Sequence, residues 1–179
     1  MIELVTTWLV GAMIAWVPPL HDADRVRYES IARDMVAVAY DDQEAPVFAG
    51  ADGRAKTALL MASIASFESQ YRADVDDGRV TGDHGRSFCL MQVQVGGGKT
   101  AEGWTGQDLT QDRKKCLRAA LKRIRISFDW CKDHALEDRL AGYTSGQCRD
   151  GEQLSRNRFW RARAYWSRTP FLPPDDLVP

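Results

Sequence analysis

Apolar positions along the chain recur mostly at helical spacing. After the break at Pro18 and Pro19, an approximate apolar stripe predicts an amphipathic helix over residues 22–40. The stripe consists of Val26, Ile31, Met35 and Val38. Residues 54–71 are apolar nearly all round, which predicts a helix that is buried on several sides. The segment between these two helices is rich in Pro, Gly and Asp, and we expect it to be a loop.

Helical spacing returns in the second half of the chain. Apolar residues at every third or fourth position predict a long helix from about residue 111 to 133, with Thr110 as its N-cap. We expect a shorter helix over residues 136–142 and a last helix over residues 151–167.

The middle of the chain has the pattern of turns followed by a strand. Residues 72–88 contain three glycines among charged side chains, which favours turns over any regular element. Residues 89–95 alternate well enough for a strand, and residues 79–81 are the expected partner strand of a small hairpin. The predicted fold class is therefore α+β and mainly helical.

The length of the chain suits one domain, predicted over residues 1–179. Residues 1–21 contain an apolar run that is shorter than the ~20 residues needed to span a bilayer. Its first charge is Glu3, where a signal peptide would carry Lys or Arg. We interpret this segment as packed on the domain, with an uncleaved signal-like anchor as the alternative. Residues 168–179 are interpreted as an extended, Pro-rich tail.

The net charge of -1 hides an uneven distribution. Residues 111–170 carry 15 Lys or Arg against 7 Asp or Glu, so the rest of the chain is acidic. A basic face would suit a polyanion such as nucleic acid or an anionic cell-wall polymer. These charges lie at helical spacing among apolar residues, and no nucleic-acid-binding motif accompanies them. A solvated helix face is therefore the stronger interpretation, and we expect no nucleic-acid partner.

The four cysteines fit two disulfides in an oxidising compartment. On one continuous helix, Cys116 and Cys131 would be about 22 Å apart at ~1.5 Å per residue and could not pair. Two pairings remain, namely Cys89–Cys116 with Cys131–Cys148, or Cys89–Cys131 with Cys116–Cys148. Reduced, buried thiols are the alternative. We expect no zinc site, because Cys131 and His134 lack a second pair of closely spaced ligands.

The GGGKT sequence at residues 96–100 has the composition of a phosphate-binding loop but not its spacing. That motif needs a glycine at position 93, where Val93 lies, and a helix directly after it. We therefore expect no nucleotide and interpret the stretch as a loop at the edge of a cleft. The nearby Trp104 is a candidate for stacking on a sugar ring, with a core or surface tryptophan as the alternative.

Glu68 is a carboxylate at the expected end of a buried apolar helix. Burial and the negative end of the helix dipole both favour the protonated form of such a group. A protonated acid is what cleavage of a glycosidic bond requires, because the leaving oxygen must receive a proton. From position alone, a structural hydrogen-bonding role is the alternative.

Three pieces of sequence occur in a particular order around this acid. Glu68-Ser69 ends the apolar helix, residues 85–92 read GRSFCLMQ, and residues 143–146 read YTSG. Over about residues 58–148 this arrangement resembles the lytic transglycosylase and goose-type lysozyme group of peptidoglycan-cleaving enzymes. The resemblance implies a lysozyme-like fold with a β-hairpin at the active-site cleft, a catalytic core over residues 54–148, and neither metal nor other cofactor.

The resemblance also implies roles for individual residues. Glu68 would be the general acid and then the base, and Ser69 would orient it or the sugar. Gln92 and Thr144 would contact the saccharide, and Tyr143 would place a hydroxyl near the carboxylate.

Two positions depart from the family pattern. Cys89 lies where the family usually has Gly, which a disulfide supporting the hairpin would explain, and Thr144 lies where it usually has Asn.

The number of carboxylates distinguishes two reactions in this group. Lytic transglycosylases use a single Glu and form a 1,6-anhydromuramyl product, whereas lysozyme-type hydrolysis uses two acids. Asp83 is the best candidate for a second acid, followed by Asp76 and Asp77, with ordinary turn aspartates as the alternative.

We expect cleavage of the β-1,4 bond between N-acetylmuramic acid and N-acetylglucosamine, by transglycosylation in the first place and by hydrolysis in the second. A third hypothesis is a non-catalytic wall-binding or structural module of a virion or secretion machine. The expected partner is the glycan strand of peptidoglycan. The expected location is the periplasm, the extracellular space or a virion.

Overall fold

The computed structural model describes residues 1–172. Within that range the helices are α1 Ile2–Trp16, α2 Asp22–Ala39, α3 Gly53–Glu68, α4 Ala73–Asp76, α5 Gly106–Gln111, α6 Arg113–Trp130, α7 Ala141–Thr144 and α8 Gln153–Arg168. The strands are β1 Ser87–Phe88 and β2 Val93–Gln94. Short 3₁₀ turns cover Asp83–Gly85, Gly96–Gly98 and Leu136–Asp138. The prediction of a mainly helical α+β fold with a small β-hairpin is confirmed.

Helix α3 lies at the centre of the core. It packs against α1, α2 and α8, and almost every side chain from Ala55 to Ser66 is buried. A helix that is apolar all round can be stable only when neighbours cover each of its faces. The sequence pattern thus placed this helix correctly in the interior.

The end of α3 differs from the predicted boundary at residue 71. The helix stops at Glu68, and Gln70 and Tyr71 both adopt positive φ angles of 52° and 56°. This left-handed backbone turns the Tyr71 ring back into the core, where its hydroxyl donates to the carbonyl oxygen of Ala62 at 2.8 Å. Burial of one aromatic ring therefore ends the helix at the acid.

The predicted strand over residues 89–95, with residues 79–81 as its partner, is wrong. Strands β1 and β2 pair antiparallel, with Ser87 opposite Gln94. Residues 89–92 form the turn between them, and Cys89 and Gln92 adopt positive φ angles. Leu90 and Met91 are both fully buried in this turn, so the apparent alternation did not mark one face of a strand.

The two disulfides follow one of the two predicted pairings. Cys89 bonds to Cys116 and Cys131 bonds to Cys148. The first disulfide ties the hairpin turn to α6, and the second ties the end of α6 to the segment after α7. Because α6 is continuous from Cys116 to Trp130 and Cys131 is its C-cap, the two cysteines lie at a distance from each other and each pairs with a different part of the chain.

Helix boundaries in the second half were set by capping side chains that the apolar pattern did not reveal. The helix predicted over residues 111–133 corresponds to α6, which begins at Arg113 because Asp112 caps it by accepting from the amides of Lys114 and Lys115. Thr110, the predicted cap, lies inside α5. Glu152 caps α8, which therefore begins at Gln153. The helix predicted over residues 136–142 is replaced by a 3₁₀ turn and the four-residue α7.

The two ends of the described chain meet at an aromatic cluster. Helix α1 packs against α2 and α3, and its Trp8 donates from Nε1 to the carbonyl oxygen of Thr169 at 2.8 Å. The Trp8 ring also contacts Trp166 and Phe171. From residue 1 to residue 172, no helix combines the length and apolar character needed to cross a bilayer. Most of the predicted Pro-rich tail, residues 173–179, lies outside the described residues.

Candidate active site

A cleft of about 660 Å³ lies between the end of α3, the hairpin, the second half of α6, and α7. Five of the seven side chains predicted for the site line this cleft, although they come from segments up to 76 positions apart. They are Glu68, Asp83, Gln92, Tyr143 and Thr144. A cleft with a few converging polar groups is the usual form of a small-ligand site.

Glu68 is held at the cleft by an arginine from the last helix. Its side chain is 20% exposed, and Arg158 donates from Nε and Nη2 to the same oxygen, Oε1, at 3.1 and 2.8 Å. Among the described residues, none donates a hydrogen bond to Oε2. One carboxylate oxygen is therefore anchored, and the other is available to a molecule in the cleft.

The helical spacing of residues 151–167 did not indicate Arg158 as a site residue, because its partner lies 90 positions earlier in the chain. The only sequence signal is its place on the helix. Arg158 directly precedes Phe159 and comes four positions before Ala162, and both of these apolar side chains are buried, so Arg158 lies on the buried side of an otherwise basic helix.

Tyr143 links α7 to the hairpin turn beside the acid. Its hydroxyl donates to the carbonyl oxygen of Met91 at 2.8 Å, and its amide donates to Oγ of Ser127 at 2.9 Å. Burial raises the pKa of this phenol well above its usual range, and the negative charge of Glu68 adds to the effect. Tyr143 is therefore a neutral hydroxyl near Glu68, with its own proton committed to the backbone.

Asp83 lines the same cleft from the 3₁₀ turn that precedes β1. Oδ2 accepts from Nε2 of Gln94 at 2.5 Å, and Oδ1 accepts from Nη2 of Arg86 at 3.2 Å. The hydrogen bond from Gln94 lowers the pKa of this carboxyl, and the hydrogen bond and charge of Arg86 lower it further. Asp83 is thus an ionised group with a partner on each oxygen.

Gln92 and Thr144 also have protein partners. Nε2 of Gln92 donates to the carbonyl oxygen of Cys89 at 3.0 Å, which closes the hairpin turn. A Cβ on Gly82 would lie 2.2 Å from Oε1 of Gln92, so a side chain at position 82 would displace the glutamine. Oγ1 of Thr144 donates to Oε2 of Glu152 at 2.9 Å.

The remaining two predicted site residues do not line the cleft. Ser69 is buried, and its hydroxyl donates to the carbonyl oxygen of Ala65 at 3.0 Å and accepts from the amide of Tyr71 at 3.2 Å. Trp104 packs against the hydrophobic core and belongs to a turn closed by a hydrogen bond with Thr100. Neither Ser69 nor Trp104 therefore lines the cleft.

An apolar patch on α6, which the sequence reasoning missed, forms part of the cleft wall. Ile126 and Trp130 line the cleft and are 55% and 59% exposed. The signal for them was present in the sequence, because they lie four positions apart and off the buried stripe of their helix. A Cβ on Gly142 would lie 3.0 Å from Cε3 of Trp130, so the indole ring packs directly against the backbone of α7.

Comparison with known proteins found a partial similarity to one lysozyme. The chain is 34% identical over 95 residues to lysozyme g from Takifugu rubripes. The matched segment covers 49% of this chain and 49% of that protein, so the chain spans about half the length of its curated relative. No protein-family model and no solved structure matches the chain.

This similarity supports a lysozyme-like family, and together with the helical core and the cleft-side hairpin it indicates a lysozyme-like α+β fold. Within residues 1–172, no group of three or more potential metal-ligating side chains comes together.

Proposed function

We propose that this protein cleaves peptidoglycan at the β-1,4 bond between N-acetylmuramic acid and N-acetylglucosamine, with Glu68 as general acid and then base. The observation that carries the proposal is the position of Glu68 at the head of a polar cleft that also contains Asp83, Gln92, Tyr143 and Thr144. The partial similarity to lysozyme g supports the same class of reaction.

In the proposed reaction, the Glu68 carboxyl donates its proton to the glycosidic oxygen as the bond from that oxygen to the anomeric carbon breaks. The sugar then carries positive charge at the anomeric carbon. Its own C6 hydroxyl attacks that carbon, and the hydroxyl proton passes to the Glu68 carboxylate. The products are an N-acetylglucosamine end and a 1,6-anhydromuramyl end, and the acid is regenerated.

Lytic transglycosylation is our first choice because Glu68 is the one cleft carboxylate with an oxygen free of protein hydrogen bonds among the described residues. Asp83 already accepts from Arg86 and Gln94, so a water held for direct attack would share each of its oxygens with a protein donor. Hydrolysis is the second candidate, and the observation in its favour is that Asp83 lines the same cleft as an ionised group.

Mass spectrometry of peptidoglycan fragments tests the proposal. Anhydromuramyl ends would support transglycosylation, and reducing ends would support hydrolysis. Asp83→Asn should retain most of the activity if one carboxylate works alone, and should lose most of it if Asp83 takes part. Wall that stays undigested by the purified protein would contradict both reactions and favour a binding module.

Trp130→Ala is expected to weaken substrate binding while preserving the fold. The indole presents an exposed apolar face to the cleft, on which the apolar face of a sugar ring can pack. We expect KM for soluble cell-wall oligosaccharides to rise about tenfold, which corresponds to ~1.4 kcal/mol.

The matched control for Trp130 is Trp160→Ala. Trp160 is similarly exposed but lies on α8 beside Arg156 and does not line the cleft, so its loss should leave KM unchanged. Equal effects of the two substitutions on KM would argue against a sugar platform at Trp130.

A further inference from the structure

We infer that Arg158 is a positioning residue, which fixes the Glu68 carboxylate so that proton exchange with the substrate takes place through Oε2. This inference deepens the proposed function and rests on it. Arg158 has no direct access to a sugar in the cleft, since it is 7% exposed and does not belong to the cleft lining. Its effect on the reaction would pass through the acid.

Contacts other than the ion pair with Glu68 also hold Arg158 in place. Nη1 donates to the carbonyl oxygen of Leu154 at 2.8 Å, one turn earlier on α8. The backbone carbonyl of Arg158 accepts from Oγ of Ser63 on α3 at 2.7 Å. The guanidinium also lies over the ring of Phe67, with Cζ 5.1 Å from the ring centroid. A planar, multiply bonded guanidinium of this kind is a rigid donor.

The geometry of the ion pair makes the two carboxylate oxygens of Glu68 unequal. Nε and Nη2 of Arg158 converge on Oε1, rather than bridging both oxygens as a fork-to-fork pair would. A partial rotation of the carboxylate would break both contacts, and a half turn would only exchange two equivalent oxygens. Oε1 is therefore held against α8, while Oε2 is left as the oxygen that can give a proton to the leaving group and take one back.

A second arginine on the same helix provides a close structural match without the contact to the acid. Arg161 also lies over the ring of Phe67, with Cζ 3.8 Å from the ring centroid. Its Nη1 donates to Oγ of Ser66 at 2.7 Å. It therefore joins α8 to α3 as Arg158 does. If the role of Arg158 were only to join these helices, loss of either arginine would have the same consequences.

The experiment compares Arg158→Met, Arg158→Lys and Arg161→Met in the full chain, with kcat and KM measured separately on soluble peptidoglycan fragments. A misplaced acid affects the chemical step, so Arg158→Met should lower kcat by about 10²-fold with little change in KM. Arg158→Lys should recover part of this loss, because an ammonium can make one contact with Oε1 but not two. Arg161→Met should leave kcat near the wild-type value.

Two results would overturn the inference. One is a kcat for Arg158→Met that equals that of Arg161→Met in samples shown by thermal unfolding to be fully folded at the assay temperature. The other is a lysine variant no more active than the methionine variant.

A crystal structure of Arg158→Met tests the positioning separately from the proposed reaction. Glu68 should leave its wild-type rotamer or occupy several, and an unchanged carboxylate would overturn the inference whether or not the protein cleaves cell wall. Failure of the wild-type protein to cleave peptidoglycan would instead contradict the proposed function. If both Arg158 variants fail to fold, the inference is overturned in favour of a structural role, because Arg158→Lys keeps the charge and most of the side-chain length.

Discussion

Glu68→Gln is expected to reduce peptidoglycan cleavage by about 10³-fold with the fold intact, which is within the range for loss of a general acid and base. The glutamine side-chain oxygen can still accept from Arg158, so the packing of α3 against α8 is preserved. What the variant lacks is a proton to give to the glycosidic oxygen. The measurement is the initial rate of fragment release from purified cell wall, with thermal unfolding to verify the fold.

Glu29→Gln is the matched control for this substitution. Glu29 is followed by Ser30, as Glu68 is followed by Ser69, but Glu29 is exposed on α2 and does not line the cleft. The control should cleave cell wall at the wild-type rate. If Glu68→Gln also cleaved at that rate, Glu68 would not be the acid and the proposed reaction would be wrong.

Replacement of both Cys89 and Cys116 by Ser is expected to lower the free energy of unfolding by about 3–4 kcal/mol. The disulfide closes a loop with a sequence separation of 27 residues, so its loss frees a long segment of the unfolded chain. Both cysteines are fully buried, and the serine hydroxyls would enter an apolar environment. Denaturant unfolding under non-reducing conditions measures the change.

Replacement of Cys89 and Cys116 by Ser is also expected to disturb the cleft. Cys89 belongs to the hairpin turn, and its carbonyl oxygen accepts from the side chain of Gln92, which lines the cleft.

The disulfide between Cys131 and Cys148 closes a shorter separation of 17 residues, and its replacement should lower the free energy of unfolding by about 3 kcal/mol. Four free thiols in the purified protein under denaturing conditions would contradict both disulfides.

Helical spacing predicted the large elements because each buried helix must show its apolar face in its own sequence. It located α2, α3, α6 and α8 to within a few residues. The boundaries were less predictable, because a capping side chain such as Asp112 or Glu152 competes with a continuous apolar stripe. The predicted strand boundaries were wrong because each strand has only two residues, which is too short to produce a recognisable alternation of apolar and polar positions.

The sequence by itself determined that an acid would end a buried helix and that a glycine-bearing turn and the YTSG stretch would follow it in order. Helix geometry also excluded a bond between Cys116 and Cys131, since spacing along one helix fixes distance. Only the tertiary structure decided which pairing of cysteines forms and that Arg158 holds Glu68. These contacts join segments between 17 and 90 positions apart, and they depend on how α3, α6 and α8 pack, which local spacing does not encode.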